Sequence, residues 1–298
     1  MAAEEGCELM SVATSQVQDV SAPGPGLYPG VPHPTYRRWR AASQSILKII
    51  RDRSPAHAYL EMVDPSPPTP AQIFGEAVHA AVLQPDLFRA RYLRAPEIDR
   101  RTKAGRELWE ELQAEHPGAI ILRPEEYDRC LAIRSAVAAH PTARKLIGGE
   151  AEVSAVWRDR ATGVLCKGRF DSLDTRLGII TDLKTTHDAS RGAFSRTIWT
   201  YGYYLQAAHY LTGANTLGLS VRWFTFIAVE QEPPYAVAVY HLSDAALMAG
   251  EGQLGELLEI YKRCEETGIW PGYPDEAQEI SLPTWAWYQI DPDGRCGT

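Results

Sequence analysis

Apolar residues recur at helical spacing in several stretches of this chain, and turn-forming residues separate these stretches. In residues 43–51, Ile46, Ile49 and Ile50 follow serines suited to capping a helix. In residues 71–83, Phe74 and Val78 lie four positions apart on one side. Similar patterns predict helices over residues 102–116, 124–140, 190–211 and 245–266, and a further helix that begins at Ser54.

Shorter stretches alternate between apolar and polar positions, which is the pattern of β-strands. Residues 150–158 place Val153, Ala155 and Trp157 on one side. Residues 168–173 and 178–185 flank a polar turn and predict a hairpin within residues 167–186. Two further strands, residues 221–229 and 235–242, are joined by a turn at the Pro-Pro pair.

The order of these elements is helix, three antiparallel strands, helix, two strands, helix. It predicts an α/β or α+β fold in which helices cover a sheet. Residues 1–35 are rich in proline and glycine and predict a segment without fixed structure. Residues 36–298 then form a single domain with a helical insertion at about residues 100–145.

Composition narrows the class of protein. A content of 45 % hydrophobic and 23 % charged residues is that of a soluble globular protein. The net charge of −8 argues against a protein that coats nucleic acid non-specifically, although it allows a local basic channel. The five cysteines are scattered without a C-x-x-C pair, which argues against zinc or iron–sulfur ligation. The N-terminus is not of the secretory type and no apolar run has membrane-spanning length, so a cytoplasmic location is expected.

The hairpin at residues 167–186 gathers ionisable residues at the end of an apolar segment. Asp182 and Lys184 are two positions apart, so on a strand both side chains point to one face. Asp171 lies on the neighbouring strand, where the hairpin can bring it beside Asp182. Two carboxylates and a lysine are costly to bury without a metal or a substrate. The hairpin is therefore the leading functional candidate.

These residue types suit phosphodiester hydrolysis. Hard divalent cations neutralise phosphate charge and activate water, and they prefer oxygen ligands. Asp171, Asp182 and the backbone carbonyl of Leu183 could supply such ligands, while Lys184 could orient the water or stabilise charge on the phosphate. A D-x-K tripeptide also occurs by chance, as a surface salt bridge at a strand end. The tripeptide alone leaves both interpretations open.

Other candidates flank the hairpin. Gln206, between Tyr203 and Tyr210 on a predicted helical face, could contact phosphate or a base, or could sit at the edge of a buried aromatic face. His79 could be a ligand or a base, or a structural hydrogen-bonding residue. Glu152 could be a further metal ligand or an ordinary exposed strand residue.

Three residues are candidates for contacts with DNA. Lys167 and Arg169 could meet phosphates, and Tyr203 could pack beside a bound nucleotide. In a chain with 30 lysines and arginines, one basic pair is a weak signal.

Several motifs in a fixed order carry a family resemblance. GRFD at 168–171, DLKTT at 182–186 and Q-x-x-x-Y at 206–210 resemble the PD-(D/E)xK nuclease superfamily. SPAH at 54–57, FGEAVHAAVLQPDLF at 74–88, DAS at 188–190, YGYYLQAAHY at 201–210, WPGY at 270–273 and LPTW at 282–285 resemble its phage and prophage branch. That branch is the exodeoxyribonuclease VIII (RecE-like) C-terminal nuclease domain, and the likeness covers roughly residues 40–288.

The resemblance implies a restriction-endonuclease-like αβββαβ core with a central mixed β-sheet flanked by helices. It implies that His79, Asp171, Asp182 and Lys184 form the metal and catalytic centre, with Gln206 in support. Tyr210 would complete the motif and is counted with the catalytic residues.

The resemblance also implies an activity. It is the Mg²⁺-dependent degradation of linear double-stranded DNA from 5′ ends, with Mn²⁺ as a substitute, which leaves 3′ overhangs for a single-strand annealing (RecT-like) protein in recombination. Members tend to form homo-oligomeric rings around DNA. The iron–sulfur cysteine cluster of some relatives and a G-x-x-x-x-G-K-[ST] motif are missing, so neither an iron–sulfur cluster nor ATP is expected.

Two alternatives keep the fold but change the activity. One is a catalytically inactive scaffold that binds DNA ends in recombination, against which the complete set of acids and lysine argues. The other is a structure-selective endonuclease that uses the same centre. Covalently closed circular duplex separates an exonuclease, which leaves it intact, from an endonuclease, which nicks it.

Overall fold

A computed structural model describes residues 21–98, 101–283, 286, 289 and 290. The helices are α1 (His33–Arg38), α2 (Gln44–Asp52), α3 (Pro55–Val63), α4 (Pro70–Leu83), α5 (Pro85–Arg91), α6 (Lys103–Glu115), α7 (Pro124–Ala139), α8 (Ala143–Leu146), α9 (Arg191–Tyr201), α10 (Tyr203–Thr216) and α11 (Asp244–Thr267). The strands are β1 (Gly26–Tyr28), β2 (Ala42–Ser43), β3 (Tyr92–Arg94), β4 (Ile120–Leu122), β5 (Glu150–Arg158), β6 (Leu165–Asp174), β7 (Ile179–Thr186), β8 (Trp223–Glu230) and β9 (Val237–His241).

The central sheet is mixed, as the fold prediction requires. Its strand order is β1-β5-β6-β7-β8-β9, and the short β2 pairs with β6 in parallel. Strands β5, β6 and β7 are antiparallel neighbours, whereas β7 and β8 are parallel. Because parallel strands need a crossover, the chain between β7 and β8 runs through α9 and α10. The predicted fold class is therefore confirmed.

Helices cover both faces of this sheet because side chains of the central strands alternate. Ile180 and Phe226 face one core with residues of α2, α10 and α11. Leu183 and Ile227 face a second core with residues of α4 and α7. Asp182 and Lys184, one residue to either side of Leu183, thus project on the α10 side.

The predicted unstructured segment differs from the structure over residues 21–35. Strand β1 lies at the edge of the sheet, where Leu27 pairs with Ala155 of β5. Side chains from β6 also fasten this segment, since Arg169 donates to the Val31 carbonyl at 2.7 Å. Residues 1–20 and Thr284 and Trp285 of the LPTW motif lie outside the described residues.

The predicted single helix over residues 190–211 is two helices. Gly202 ends α9 with a left-handed backbone, at φ 69°, and α10 begins at the next residue. A Cβ there would lie 2.6 Å from Nη1 of Arg51, so glycine suits both the backbone angle and the packing. Trp199 on α9 therefore does not share one helical face with Gln206, which lies on α10.

The segment predicted as an insertion, at about residues 100–145, contains α6, α7 and the start of α8, together with β4, which pairs with β3. No described helix has the length and apolar content needed to cross a bilayer.

His209 on α10 is a buried neutral histidine, and its burial makes the stability of the protein depend on pH. Its Nε2 lies 3.1 Å from the Lys167 carbonyl, while its Nδ1 is buried and lacks a hydrogen-bond partner in the described structure. Burial lowers the pKa of His209 to about 4. Between that value and the ordinary pKa of about 6.5, the unfolded chain binds more protons. The contribution of His209 to stability is thus present above pH 6.5 and is lost as the pH falls towards 4.

We expect this loss to be visible in the His209→Gln variant. Between pH 7 and pH 5, the wild type should lose about 2 kcal/mol more unfolding free energy than the variant. Urea unfolding in EDTA at both pH values measures the difference. Equal pH slopes for the wild type and His209→Gln would contradict the assignment.

Candidate active site

The pairing of β6 with β7 stops where the predicted carboxylates begin. Ser172 pairs with Thr181, and the next positions in register are Asp171 and Asp182, which do not form a ladder pair. The Asp171 Oδ2 atom instead accepts a hydrogen bond of 2.8 Å from the backbone N–H of Leu183. The side chain of Asp171 thereby occupies the gap between the two strands, and the hairpin opens at this point.

Asp182 is almost fully buried and is held by two neighbours. Its Oδ1 accepts a hydrogen bond of 2.7 Å from Nε2 of Gln206 on α10. Its Oδ2 lies 2.6 Å from Nζ of Lys184, but this ion-pair contact lacks hydrogen-bond geometry. Among the described residues, Oδ2 therefore has a charge partner and no hydrogen-bond donor.

His79, Glu152 and Asp171 form a second group beside this pair. One ligand atom from each lies within 4.8 Å of the other two. Nδ1 of His79 is 3.3 Å from Oδ2 of Asp171 and 3.7 Å from Oε1 of Glu152. Helix α4 begins with a capping box between Thr69 and Gln72, and this fixes the helix that presents His79.

The chain matches the family described as a PDDEXK-like domain of unknown function (DUF3799) over residues 43–283. The chain belongs to this PDDEXK-like family. The predicted membership of the PD-(D/E)xK superfamily is confirmed, whereas the RecE-like type stays a prediction.

A solved structure has a fold similar to that of this chain. It is the crystal structure of a proposed exonuclease from Eubacterium rectale, with 13 % sequence identity and a TM-score of 0.54. The alignment covers 84 % of this chain and 92 % of that chain. At this identity the likeness shows the fold alone. Curated proteins gave no match.

The ionisable groups of the PDDEXK-like centre shift one another's pKa values. Burial raises the pKa of Asp171; His79 opposes this shift and the nearby Asp182 and Glu152 charges reinforce it. Burial lowers the pKa of His79, but Asp171 and Glu152 outweigh burial and the pKa is about 9. The negative charge of the carboxylates thus favours a bound proton in the cluster of His79, Glu152 and Asp171. A bound metal cation would neutralise the same negative charge.

Glu152 is held by Arg169 in a backbone conformation that is uncommon for a non-glycine residue. Its φ is 55°. Nε of Arg169 contacts Oε2 of Glu152 at 2.5 Å, and Nη1 of the same arginine donates to Ser154 Oγ at 3.1 Å. Burial raises the pKa of Glu152, but His79 and Arg169 lower the pKa by more, so the net shift is downward. The interpretation of Glu152 as an ordinary exposed strand residue is therefore wrong.

The predicted DNA contacts of Lys167 and Arg169 do not fit the structure. Nζ of Lys167 donates to the carbonyls of Tyr36, Arg37 and Trp39 at 3.0, 3.0 and 2.6 Å. These three bonds use all the N–H groups of the ammonium, which is buried. Burial and the charge of Arg37 lower the pKa of Lys167 to about 7. Lys167 fastens the end of α1, and Arg169 positions Glu152.

The two tyrosines differ in position. Tyr210 is buried behind the centre, with its ring 5.2 Å from that of Phe170, so its place is in the packing that supports the site. Tyr203 is half-buried, and Nζ of Lys184 lies 4.6 Å from the centre of its ring. Tyr203 is thus the predicted DNA contact that lies beside the D-x-K motif.

The donor set of the PDDEXK-like centre fits a hard divalent cation. His79, Glu152 and Asp171 each place a ligand atom within 4.8 Å of the other two, and the neighbouring Asp182 offers a buried oxygen without a hydrogen-bond donor in the described part of the chain. His79, Glu152, Asp171 and Asp182 would hold the ion. The carbonyl of Leu183 remains a predicted ligand, and the structure ties the amide of Leu183 to Asp171.

Arg169 has a supporting role, the positioning of Glu152, that was not predicted from the sequence. A signal was present, because Ser154 and Arg169 are direct partners in β5 and β6 and Glu152 is two positions from Ser154. Side chains so placed share one face of the sheet. The alternation of polar residues on both strands could have predicted this contact.

Proposed function

We propose that this protein is a divalent-metal-dependent deoxyribonuclease that degrades linear double-stranded DNA from an end, with Mg²⁺ as its metal and Mn²⁺ as a substitute. The observation that carries the proposal is the meeting of Asp171, Asp182 and Lys184 where β6 and β7 separate. Membership of the PDDEXK-like family supports a nuclease.

The state of Lys184 defines its proposed role. Burial lowers the pKa of Lys184, but the charge of Asp182, with smaller contributions from Tyr203 and Asp171, raises it more, so the ammonium stays protonated at neutral pH. A protonated lysine cannot accept a proton from water. It can donate hydrogen bonds to the attacking water or to a phosphate oxygen and stabilise the charge that develops there.

The neighbouring residues orient the carboxylates. Gln206 fixes Oδ1 of Asp182, which leaves Oδ2 for the centre. The Leu183 amide fixes Oδ2 of Asp171 in the same way. A divalent cation bound by these groups would neutralise phosphate charge and lower the pKa of a bound water.

The finer parts of the proposal come from the RecE-like resemblance. They are 5′-to-3′ digestion, 3′ overhangs for an annealing protein in recombination, and a homo-oligomeric ring around the duplex. A ring would keep an enclosed duplex from diffusing away sideways between turnovers.

Digestion of end-labelled linear duplex tests the proposal. With Mg²⁺, a 5′ label should be released early as short products while a 3′ label remains on long strands, and EDTA should stop both reactions. Covalently closed circular duplex should stay intact under the same conditions. Release of the 3′ label first would show that digestion runs in the opposite direction, from 3′ to 5′. Digestion that persists in EDTA would contradict metal dependence, and nicking of the closed circle would favour the endonuclease.

A further inference from the structure

Two exposed aromatic side chains stand at the break between α9 and α10. Trp199 is 71 % exposed and Tyr201 is 53 % exposed, although both are large and apolar. Each stacks on a ring from the first turn of α10. The Trp199 and Tyr204 rings are 5.6 Å apart and 9° from parallel, and the Tyr201 and Tyr203 rings are 5.7 Å apart and 21° from parallel. We call these four residues the aromatic corner.

The inner rings of the aromatic corner are fixed by the fold. The hydroxyl of Tyr204 donates to Gln253 at 2.6 Å and accepts from Arg51 at 3.2 Å. Tyr203 packs 5.8 Å from the ring of Phe226 in β8. The outer rings of Trp199 and Tyr201 therefore rest on rigid supports, and binding against them costs little conformational entropy.

The aromatic corner is continuous with the proposed catalytic centre. The ring of Tyr203 is the contact between them, since it touches both Tyr201 and Nζ of Lys184. An exposed arginine, Arg196, lies three residues before Trp199, on the same side of α9. A strand with its phosphate at Lys184 would thus find ring faces and a positive charge on the adjoining surface.

We propose that Trp199 and Tyr201 stack on unpaired bases of the DNA strand whose phosphate lies at Lys184, so that the preferred substrate carries a single-stranded segment. Ring faces stack on every base, and in a duplex the neighbouring pairs already cover those faces. The proposal rests on the proposed nuclease function for the place of the phosphate. It adds a site for single-stranded DNA that the catalytic residues alone do not require.

Binding without hydrolysis provides the test. Fluorescence anisotropy in EDTA compares one labelled duplex in three forms, with a thymidine overhang, with an abasic overhang of equal length, and blunt. The Trp199→Ala/Tyr201→Ala variant should bind the thymidine overhang at least about tenfold more weakly than the wild type. Its affinity for the abasic and blunt forms should be unchanged. Trp199→Phe should keep most of the wild-type affinity.

Trp223→Ala is the matched control. Trp223 is 56 % exposed but lies at the start of β8, opposite Ile179, whereas Lys184 pairs with Ala228. The Trp223→Ala variant should bind all three DNA forms with wild-type affinity. Circular dichroism confirms that each variant is folded.

The outcomes separate the two proposals. Equal wild-type affinity for thymidine and abasic overhangs, or an unchanged affinity in the double variant, overturns the stacking site. A double variant that changes the oligomeric state by light scattering and not the DNA affinity overturns it in favour of a contact between copies. A wild type that digests no DNA in Mg²⁺ yet keeps the preference dependent on Trp199 contradicts only the nuclease proposal.

Discussion

Lys184→Met is expected to lower the rate of linear duplex digestion about a hundredfold or more, and to weaken DNA binding in EDTA far less than that. Methionine has similar length but cannot donate a hydrogen bond or carry the charge that lies 2.6 Å from Asp182 Oδ2. Single-turnover digestion with Mg²⁺ measures the effect. Lys103→Met removes an exposed lysine that pairs only with Glu107 among the described residues, and it should digest DNA at the wild-type rate.

A second variant separates chemistry from folding. Removal of Lys184 leaves Asp182 as a buried charge without its partner, which should cost about 3 kcal/mol of unfolding free energy in EDTA. Adding Asp182→Asn removes that charge, so the double variant should regain stability in urea unfolding yet remain inactive. Digestion by the stable double variant at more than a few per cent of the wild-type rate would contradict the proposed roles of both residues.

Gly250→Val is expected to destabilise the protein strongly where α10 and α11 pack together. A Cβ at Gly250 would lie 2.6 Å from the backbone carbonyl oxygen of Tyr204 and 3.1 Å from Cβ of Ala208. Backbone cannot move aside as a flexible side chain does, so α11 must shift. We expect a loss of about 3 kcal/mol or more for valine and about 2 kcal/mol for alanine, measured by urea unfolding.

Gly252 provides a control on the same helix with the opposite sign. A Cβ there meets nothing within 4 Å. Gly252→Ala should therefore stabilise the protein by about 0.5–1 kcal/mol, because alanine favours a helix over glycine. Similar losses for Gly250→Ala and Gly252→Ala would show that the close approach of α10 and α11 does not explain the glycine.

The alternation of residues in β5, β6 and β7 was enough to predict three antiparallel strands and their turn. The structure confirms this order, with Ser172 and Thr181 as the last ladder pair before Asp171 and Asp182. Local spacing also placed Lys184 on the face of Asp182. These are properties of neighbouring residues, for which a period of two is sufficient.

The break at Gly202 is an example of what local pattern cannot decide. Residues 190–211 have helical spacing on both sides of the glycine, and a glycine within a helix costs only about 1 kcal/mol. Gly202 adopts a left-handed backbone at φ 69°, and the side chain of Arg51, which lies 151 positions earlier, packs close to it. The paired rings of the aromatic corner depend on that break.

The two lysines of the hairpin, Lys167 and Lys184, show which properties follow from the sequence and which depend on the tertiary structure. The sequence by itself predicted the superfamily, the succession of three antiparallel strands and the candidate residues of the centre, because motifs and periodicity are local. It predicted a catalytic Lys184 and gave Lys167 as a weak candidate for a phosphate contact, because the pattern does not show what surrounds either side chain. Only the fold showed those surroundings: carbonyls at the end of α1 surround Lys167, whereas Asp182 and Tyr203 lie beside Lys184. The role of a charged group depends on which distant segments desolvate or pair it, and those segments meet only in the folded chain.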